Sequence, residues 1–172
     1  MAQLIFRRAT RADVPAILEL LADDEIARAR SAGAGPGTAE AATPGAVATE
    51  NAVSEAADAA CWAAFEAIDA DPRNELIVAD EDGTVVGTCQ LTFTPSLSRR
   101  GAERMTIEAV RVGAGLRGRG VGRAMMAWSL ARARERGCGL AQLTTDRRRT
   151  DAHRFYTSLG FEPSHVGFKI NL

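Results

Sequence analysis

The chain has 172 residues, of which 46% are hydrophobic and 25% are charged. This composition is typical of a soluble globular protein, and the length fits one compact domain over residues 1–172. No stretch approaches the roughly 20 apolar residues of a membrane-spanning helix, and the apolar run in Met1–Arg8 is too short for a signal peptide. The three cysteines, Cys61, Cys89 and Cys138, lack disulfide or metal spacing, so we expect a cytoplasmic protein with reduced thiols and no membrane partner.

The net charge is only −1, but the charges are unevenly distributed along the chain. Residues 1–98 carry 6 basic and 16 acidic residues, whereas residues 99–172 carry 15 basic and 6 acidic residues. A basic half suits an anionic ligand and an acidic half suits a cationic one, although each could also be only a solvated surface. Lys169 is the sole lysine. Arginine suits forked phosphate contacts, but so uniform a bias also follows from genomic base composition.

Apolar runs bounded by turn residues predict six strands, and apolar residues at helical spacing predict four helices. The predicted strands are Leu4–Arg8, Glu75–Asp80, Thr84–Thr94, Glu103–Val112, Leu140–Thr145 and Ser164–Leu172. The predicted helices are one that follows a cap at Thr10, Ser54–Asp69, one that follows the Gly113–Arg119 loop to about Arg136, and Thr150–Leu159. This order predicts a mixed α/β fold with one β-α-β crossover near its end.

Residues Ser31–Ser54 interrupt this regular order. The tract is rich in alanine, glycine and threonine, contains Pro36 and Pro44, and shows no periodicity. A segment of this length without structure is usually either a lid over a binding site or disordered. We therefore predict a flexible segment at about residues 31–54.

The most informative stretch is the glycine- and arginine-rich loop that follows the fourth predicted strand. From Val110 to Arg123 it reads Val-Arg-Val-Gly-Ala-Gly-Leu-Arg-Gly-Arg-Gly-Val-Gly-Arg. Glycines let a backbone turn sharply and approach a ligand closely, and the first N–H groups of a helix are unpaired and positively polarised. Arg117, Arg119 and Arg123 add positive charge at the same end. The stretch is therefore predicted to hold a pyrophosphate.

Other ways of binding phosphate fit this loop poorly. Gly113–Gly118 formally matches G-x-G-x-x-G, but the match ends before the helix begins, and no acidic residue closes the next strand at the required distance. The nucleotide P-loop fails because no Gly-Lys-Ser/Thr is present. A basic nucleic-acid patch is disfavoured because no aromatic residues interleave with the arginines. We therefore expect no nucleic-acid partner.

Two spaced motifs resemble those of the GNAT superfamily of N-acetyltransferases. They are Arg117-x-x-Gly120-x-Gly122 after a strand ending Val110-x-Val112, and Ala152-x-x-Phe155-Tyr156-x-x-x-Gly160-Phe161 on the helix after the next strand. The resemblance implies a mixed, mostly antiparallel twisted sheet with splayed parallel central strands and about four helices. It also implies acetyl-CoA as co-substrate, whereas the residues themselves predict no metal site.

The same resemblance implies where acetyl-CoA binds. The fourth and fifth strands would splay apart around the thioester, and the pantetheine would pair like an extra strand with the fourth. The implied cofactor-binding residues are Val110, Arg111, Val112, Arg117, Gly118, Arg119, Gly120, Val121, Gly122 and Arg123. One departure is Arg149, because many members carry at this position an asparagine expected to contact the pantetheine.

Tyr156 and Glu108 are the implied catalytic residues. Tyr156 stands where the family commonly places a tyrosine general acid, which protonates the CoA thiolate. A phenol suits this role because it is neutral at neutral pH yet can donate a proton. The alternative is that Tyr156 only packs in its helix stripe. Glu108 stands near the family's base, which takes a proton from the acceptor ammonium; its alternative is a salt bridge to Arg104 or Arg111.

The acceptor is defined less closely than the cofactor. The run Asp151–Tyr156, with the later Ser164-His165, resembles bacterial aminoalkylphosphonate N-acetyltransferases, which implies a small amine of that kind. Those enzymes are associated with a divalent metal, but the two histidines of this chain do not form a ligand set. The acidic first half favours a cationic amine, whereas Arg99, Arg100 and Arg104 favour an acceptor with an anionic group.

The resemblance and the motifs together imply direct transfer of an acetyl group from acetyl-CoA to a primary amine of a small molecule in a ternary complex. No serine or cysteine is set up as an activated nucleophile, so no covalent enzyme intermediate is expected. The alternatives are a non-enzymatic CoA-binding or regulatory domain and an acetyltransferase that acts on a protein amine. Homodimers are common in the family, so a homodimer is a further expectation.

Overall fold

The computed structural model describes residues 3–23 and 47–170. In these ranges the elements are, in chain order, β1 Leu4–Arg8, α1 Val14–Ala22, α2 Val47–Ala70, β2 Asn74–Glu81, β3 Thr84–Thr94, β4 Arg104–Val112, α3 Val121–Glu135, β5 Leu140–Leu143 and α4 Thr150–Thr157. Short 3₁₀ turns occupy Arg11–Asp13, Ser98–Gly101 and Ala114–Leu116. The predicted order of strands and helices is confirmed as far as α4. None of the helices in these ranges is long and apolar enough to cross a bilayer.

The described strands form one five-stranded sheet in the order β1-β2-β3-β4-β5. Neighbouring strands are antiparallel except β4 and β5, which are parallel. This confirms the predicted α/β class and the mostly antiparallel sheet that contains a parallel pair. The parallel register runs from Arg104↔Leu140 to Ile107↔Leu143, where β5 ends. The rest of β4, as far as Val112, lies beyond this pairing, and this is the gap that the site uses.

Helices cover both faces of the sheet because successive residues of a strand point to opposite sides. On one face, Val78 of β2 packs with Ile17 of α1 and Phe65 of α2. On the other face, Ile77 packs in a cluster with Met125 of α3. Ile77, Val78 and Met125 are fully buried. The middle strands are thus fixed between two apolar layers, which gives β4 a rigid position.

The start of α2 differs from the prediction. The helix begins at Val47 rather than at Ser54. Residues 47–54 have too few large apolar side chains to show a helical period, but alanine and glutamate favour helix by intrinsic propensity. Helical structure therefore extends beyond the apolar stripe into the tract predicted to be flexible. The remainder of that prediction, residues 31–46, lies outside the described residues.

The predicted last strand is wrong for the described residues, because residues 164–170 form no strand. Their alternating apolar side chains, Val166, Phe168 and Ile170, remain exposed. Alternating apolar and polar residues form a strand only when a neighbouring strand supplies hydrogen bonds. None of the described strands pairs with residues 164–170. As a consequence, β5 is the edge strand of the described sheet, and the parallel pair lies at the edge instead of in the centre.

Candidate active site

The loop between β4 and α3 presents backbone N–H groups at the start of a helix. Gly118 and Gly120 have φ angles of 82° and 88°, in the left-handed region that residues with a Cβ rarely adopt. These turns lead the chain into α3, whose first hydrogen bond is from Ala124 N–H to Gly120 C=O at 2.9 Å. The N–H groups of residues 121–123 precede this bond. They are therefore the positively polarised donors that a helix offers to an anion.

Gly122 allows α3 to lie close to β4. A Cβ at this position would be 3.6 Å from Val112 Cγ2 and 3.6 Å from Phe155 Cζ. This is ordinary van der Waals contact, so a methyl group fits, but a larger side chain would have to displace a neighbour. Phe155 belongs to the second motif of the sequence, so the two motifs meet at Gly122.

The arginine side chains of the loop, those of Arg117, Arg119 and Arg123, are exposed. Arg117 lies 3.4 Å from Asp23, and Arg119 lies 3.8 Å from Glu81. Exposed ion pairs typically contribute about 0–1 kcal/mol. The arginines can therefore exchange these partners for a bound phosphate at little cost, which agrees with the predicted pyrophosphate site.

A β-bulge in β4 lies just beyond the point where β5 ends. The register with β3 shifts so that two residues of β4, Ala109 and Val110, lie opposite Cys89 alone. Ala109 has a φ of 50°, a left-handed conformation that is costly for a residue with a Cβ. Bulges interrupt the ladder and re-aim backbone groups, and strained residues of this kind cluster at functional sites. The bulge thus places irregular backbone in the gap.

The strand residues predicted to bind pantetheine lie at this bulge and directly after it. Val110, Arg111 and Val112 are all half-buried. The Arg111 side chain turns back on the strand, and its Nη1 donates a hydrogen bond to Val110 C=O at 2.8 Å. A ligand that pairs with this carbonyl must share it with Arg111 or displace the guanidinium.

Tyr156 lies on α4 in an aromatic group with Phe155 and Phe161. The centroid of the Tyr156 ring is 5.2 Å from that of Phe155 and 6.0 Å from that of Phe161. Burial raises the pKa of the Tyr156 phenol, and the positive charges of Arg149 and Arg111 partly oppose this shift. The phenol is therefore protonated at neutral pH and can donate a proton. Tyr156, Val110 and Val112 all pack against one core cluster.

Glu108 is the last residue before the bulge and lies opposite Gln90 of β3. Its side chain is exposed, so the carboxylate remains in contact with solvent. Its proposed role as a base and the alternative, a salt bridge to Arg104 or Arg111, both stay predictions.

The arginines expected to bind an anionic acceptor lie far from the bulge. Arg104 is the first residue of β4, and Arg99 and Arg100 occupy the preceding turn. A strand rises about 3.3 Å per residue, which places the Arg104 backbone roughly 17 Å from that of Ala109. These side chains therefore do not line the gap. The cations that interact with Tyr156 are Arg149 and Arg111.

Both histidines of the chain have local hydrogen-bond partners. His153 Nε2 is 3.0 Å from the carbonyl oxygen of Asp146, and His165 Nδ1 is 2.8 Å from the Ser164 hydroxyl. In the part of the chain that the structure describes, no group of three or more histidine, cysteine, aspartate or glutamate side chains is arranged to hold a metal ion.

Sequence reasoning missed the bulge at Ala109 and the close approach of β3 at Gly87. A Cβ at Gly87 would lie 2.9 Å from Arg111 C=O, so only glycine fits there without a shift of backbone. The sequence did carry this signal, because glycine inside a strand often marks a bulge or a close backbone contact. The bulge itself has no residue signature, because it depends on the register between β3 and β4.

Comparisons with known proteins agree with this geometry. The model of the family described as "Acetyltransferase (GNAT) family" matches residues 45–161, a range that includes the bulge, the loop and Tyr156. The chain belongs to the GNAT acetyltransferase family. GNAT enzymes use acetyl-CoA as co-substrate.

Two solved structures and one curated protein are similar to this GNAT chain. The crystal structure of a transcriptional regulator from Bacillus halodurans C-125 is 38% identical with a TM-score of 0.80, covering 99% of this chain and 100% of that one. A candidate acetyltransferase from Agrobacterium tumefaciens str. C58 is 29% identical with a TM-score of 0.71, covering 98% of this chain and 99% of that one. The aminoalkylphosphonate N-acetyltransferase of Salmonella typhimurium is 42% identical over 53 residues. That match covers 31% of this chain and 34% of the Salmonella protein, so this chain spans about a third of the length of its curated relative.

Proposed function

We propose that this GNAT protein transfers the acetyl group of acetyl-CoA directly to a primary amine of a small molecule in a ternary complex. One observation carries the proposal. Val121 at the start of α3, the strand residues Val110 and Val112, and Tyr156 all pack in or against one core cluster, which supports a single site built from the helix N-terminus, the irregular strand and the tyrosine.

The cofactor-binding part of the proposal rests on Arg117–Arg123. The N–H groups at the start of α3 would hold the pyrophosphate, and the glycines would let it approach the backbone. The exposed arginines of the loop would add positive charge. Val110, Arg111 and Val112 would then lie along the pantetheine, towards the bulge.

The chemistry follows from groups around the bulge. The acceptor nitrogen attacks the thioester carbon, and backbone N–H groups of the irregular strand stabilise the charge that develops on the carbonyl oxygen. When the C–S bond breaks, Tyr156 donates its proton to the sulfur. Glu108 takes a proton from the acceptor nitrogen, directly or through water. The positive charges of Arg149 and Arg111 favour the developing thiolate.

The acceptor is proposed to be a small amine that carries an anionic group. The local similarity to the Salmonella aminoalkylphosphonate N-acetyltransferase supports this class. Arg149 and Arg111, which interact with Tyr156, would supply the positive charge for such a group. Arg99, Arg100 and Arg104 do not, because they lie at the other end of β4.

The test is a screen of acceptors with acetyl-CoA, read by release of the CoA thiol and by mass spectrometry of the product. The panel contains aminoalkylphosphonates, matched amines without the phosphonate, polyamines and a lysine-containing peptide. We expect acetylated product with an aminoalkylphosphonate and a higher kcat/KM than with its uncharged counterpart. Acetylation of the peptide alone would reject the small-molecule acceptor. Tight acetyl-CoA binding without transfer to any amine would contradict the proposed reaction.

A regulatory role is the second candidate, favoured by the similarity to the Bacillus halodurans transcriptional regulator. Binding of a fluorescently labelled DNA duplex, followed by anisotropy at low and moderate salt, tests this role. DNA binding that weakens steeply with salt would support it. Acetyl transfer by a protein that does not bind DNA at low salt would reject it.

A further inference from the structure

A small pocket, named here the arginine pocket, lies where β4 and β5 begin. Its lining includes Ser96, Ser98, Arg99, Glu103, Arg104 and Gly139. Arg104 is the first residue of β4 and pairs with Leu140, the first residue of β5. The pocket has a volume of about 20 Å³, which is enough for one water-sized group. Because Ser98 and Arg99 are exposed, a ligand can insert one oxygen here and keep its remainder at the surface.

Arg104 brings an unsatisfied hydrogen-bond donor to the arginine pocket. Its Nε is buried and has no hydrogen-bond partner among the described residues. A guanidinium is always charged and has several N–H donors but no acceptor. Most buried polar groups have a partner, because a buried donor without an acceptor destabilises the folded protein. A ligand oxygen that accepts a hydrogen bond from Arg104 Nε would therefore be bound favourably.

The other polar groups of the pocket favour an anion. Glu103 is acidic, but Arg136 donates to its two carboxylate oxygens at 3.1 Å and 3.2 Å, so this negative charge is already paired. The two lining arginines therefore leave the pocket positively charged. The hydroxyl oxygens of Ser96 and Ser98 are 2.7 Å apart. One of them donates to the other, which leaves the second hydroxyl proton available to a ligand.

The turn that carries Arg99 has an uncommon backbone conformation. Arg99 and Arg100 have φ angles of 51° and 60°, and a left-handed conformation is costly for residues with a Cβ. Strained residues of this kind cluster at functional sites. The turn also lies close to the start of β5, because a Cβ at Gly139 would be 2.8 Å from Ala102 Cβ. Only glycine fits there without a shift, so the pocket is formed before any ligand binds.

We propose that the arginine pocket binds a phosphate group, either free or carried by an organic molecule. One phosphate oxygen accepts a hydrogen bond from Arg104 Nε, and the other oxygens accept from Arg99 and from the available serine hydroxyl. Phosphate suits the pocket better than a carboxylate because it offers more acceptor oxygens to forked guanidinium donors. The Arg104 backbone is roughly 17 Å from that of Ala109, so this phosphate lies outside the gap proposed for acetyl transfer.

Calorimetric titration of the full chain with inorganic phosphate is the first test. Saturating CoA is present, so that the loop at residues 117–122, itself proposed to hold a pyrophosphate, is covered. We expect Arg104→Gln and Arg99→Gln each to weaken phosphate binding about tenfold or more, because each loses a charge-assisted hydrogen bond. The matched control is Arg154→Gln, which removes an exposed arginine of α4 and should leave the affinity unchanged.

Circular dichroism checks that each variant is folded, and Arg99→Gln keeps the test valid if Arg104→Gln disturbs the sheet, because Arg99 lies in an exposed turn. Phosphate binding that both pocket variants retain, or that Arg154→Gln weakens equally, would overturn the proposal. Binding that CoA abolishes would assign the phosphate to the loop and would also overturn it.

A comparison of ligands at equal ionic strength identifies the source of the phosphate. Tighter binding of glycerol phosphate would support a phosphate carried by an organic molecule, whereas equal or tighter binding of inorganic phosphate would support the free ion. Acetate should bind about tenfold more weakly than either, since it has fewer acceptor oxygens. Acetate that binds equally well, or a protein that binds neither phosphate, would overturn the proposal. None of these titrations depends on acetyl transfer, so their failure leaves the proposed function to be judged separately.

Discussion

Replacement of Tyr156 by phenylalanine tests the proposed proton donor with little disturbance of the fold. The substitution removes one hydroxyl and keeps the ring that packs on Phe155 and Phe161 at centroid distances of 5.2 Å and 6.0 Å. Among the described residues the hydroxyl has no hydrogen-bond partner, so we expect the free energy of unfolding to change by less than about 1 kcal/mol. Any large effect on turnover would then arise from chemistry.

The expected size of that effect follows from general acid catalysis, which typically accelerates a step by about 10²–10⁴-fold. We expect kcat to fall by this factor. The KM for acetyl-CoA should change little, because the loop at residues 117–122 is untouched. Such a pattern indicates an interaction made only in the transition state. Pre-steady-state measurement must confirm that chemistry limits turnover. If kcat of the variant then stays within a few-fold of the wild-type value, Tyr156 is a packing residue and not the proton donor.

The pKa of this donor can be read directly, because Tyr156 is the sole tyrosine of the chain. Burial raises its pKa above the ordinary value, so the phenol remains protonated through the ordinary range and deprotonates only as pH rises further. Titration of the phenolate absorbance should therefore show a midpoint above about 10. In the wild type, activity that depends on the protonated phenol should fall over the same range. A midpoint at or below the ordinary value would contradict the structural basis for the donor.

Three further substitutions test the loop and the ion pair between β1 and the turn that follows it. Gly122→Ala should keep acetyl-CoA affinity within a few-fold, because the new Cβ meets its neighbours at 3.6 Å. Gly122→Val should weaken the affinity for acetyl-CoA, measured by calorimetry, about tenfold or more, because overpacking that forces α3 away from β4 costs about 1–3 kcal/mol. Equal affinities of the alanine and valine variants would contradict the close approach of α3 to β4. Arg7 lies 2.7 Å from Asp13 and holds the pKa of that buried carboxyl well below its usual range. This stabilisation is present above the unfolded pKa of about 3.9 and is lost as pH falls through the folded pKa. Asp13→Asn should therefore lower the free energy of unfolding by about 2–4 kcal/mol at neutral pH, and the difference from the wild type should shrink in acid. If urea denaturation shows the same difference in unfolding free energy at every pH, the ion pair with Arg7 is not its cause.

The sequence predicts those parts of the fold that depend on local signals. Helical spacing locates α1 and α3, and Gly83 in a short turn separates β2 from β3. The loop at 117–122 is also local, since its glycines and the helix that follows are adjacent in the chain. Two family motifs then make the gap between β4 and β5 predictable, although no single residue marks it.

Features that depend on contacts distant in sequence are not predictable in the same way. The bulge opposite Cys89 arises from pairing between β3 and β4, so its position depends on the register between two strands. The distance of Arg104 from the bulge follows from the direction of β4, although charge counting placed it near the acceptor. The strand pattern of residues 164–170 is present in the sequence, but a pattern cannot supply the strand with which it pairs.

The contact of Gly122 with Phe155 explains why the two motifs act as one unit. The positively polarised start of α3 and the Tyr156 phenol lie on different helices, and the loop alone fixes neither relative to the other. Phe155 lies beside Gly122, since a Cβ at that glycine would be 3.6 Å from Phe155 Cζ. The Phe155 ring also packs on Tyr156. A side chain larger than methyl at Gly122 would move α3 away from Phe155, and in a close-packed core such a shift passes to neighbouring groups. The glycine of the first motif therefore sets the position of α3, the helix proposed to bind phosphate, relative to the proposed proton donor of the second.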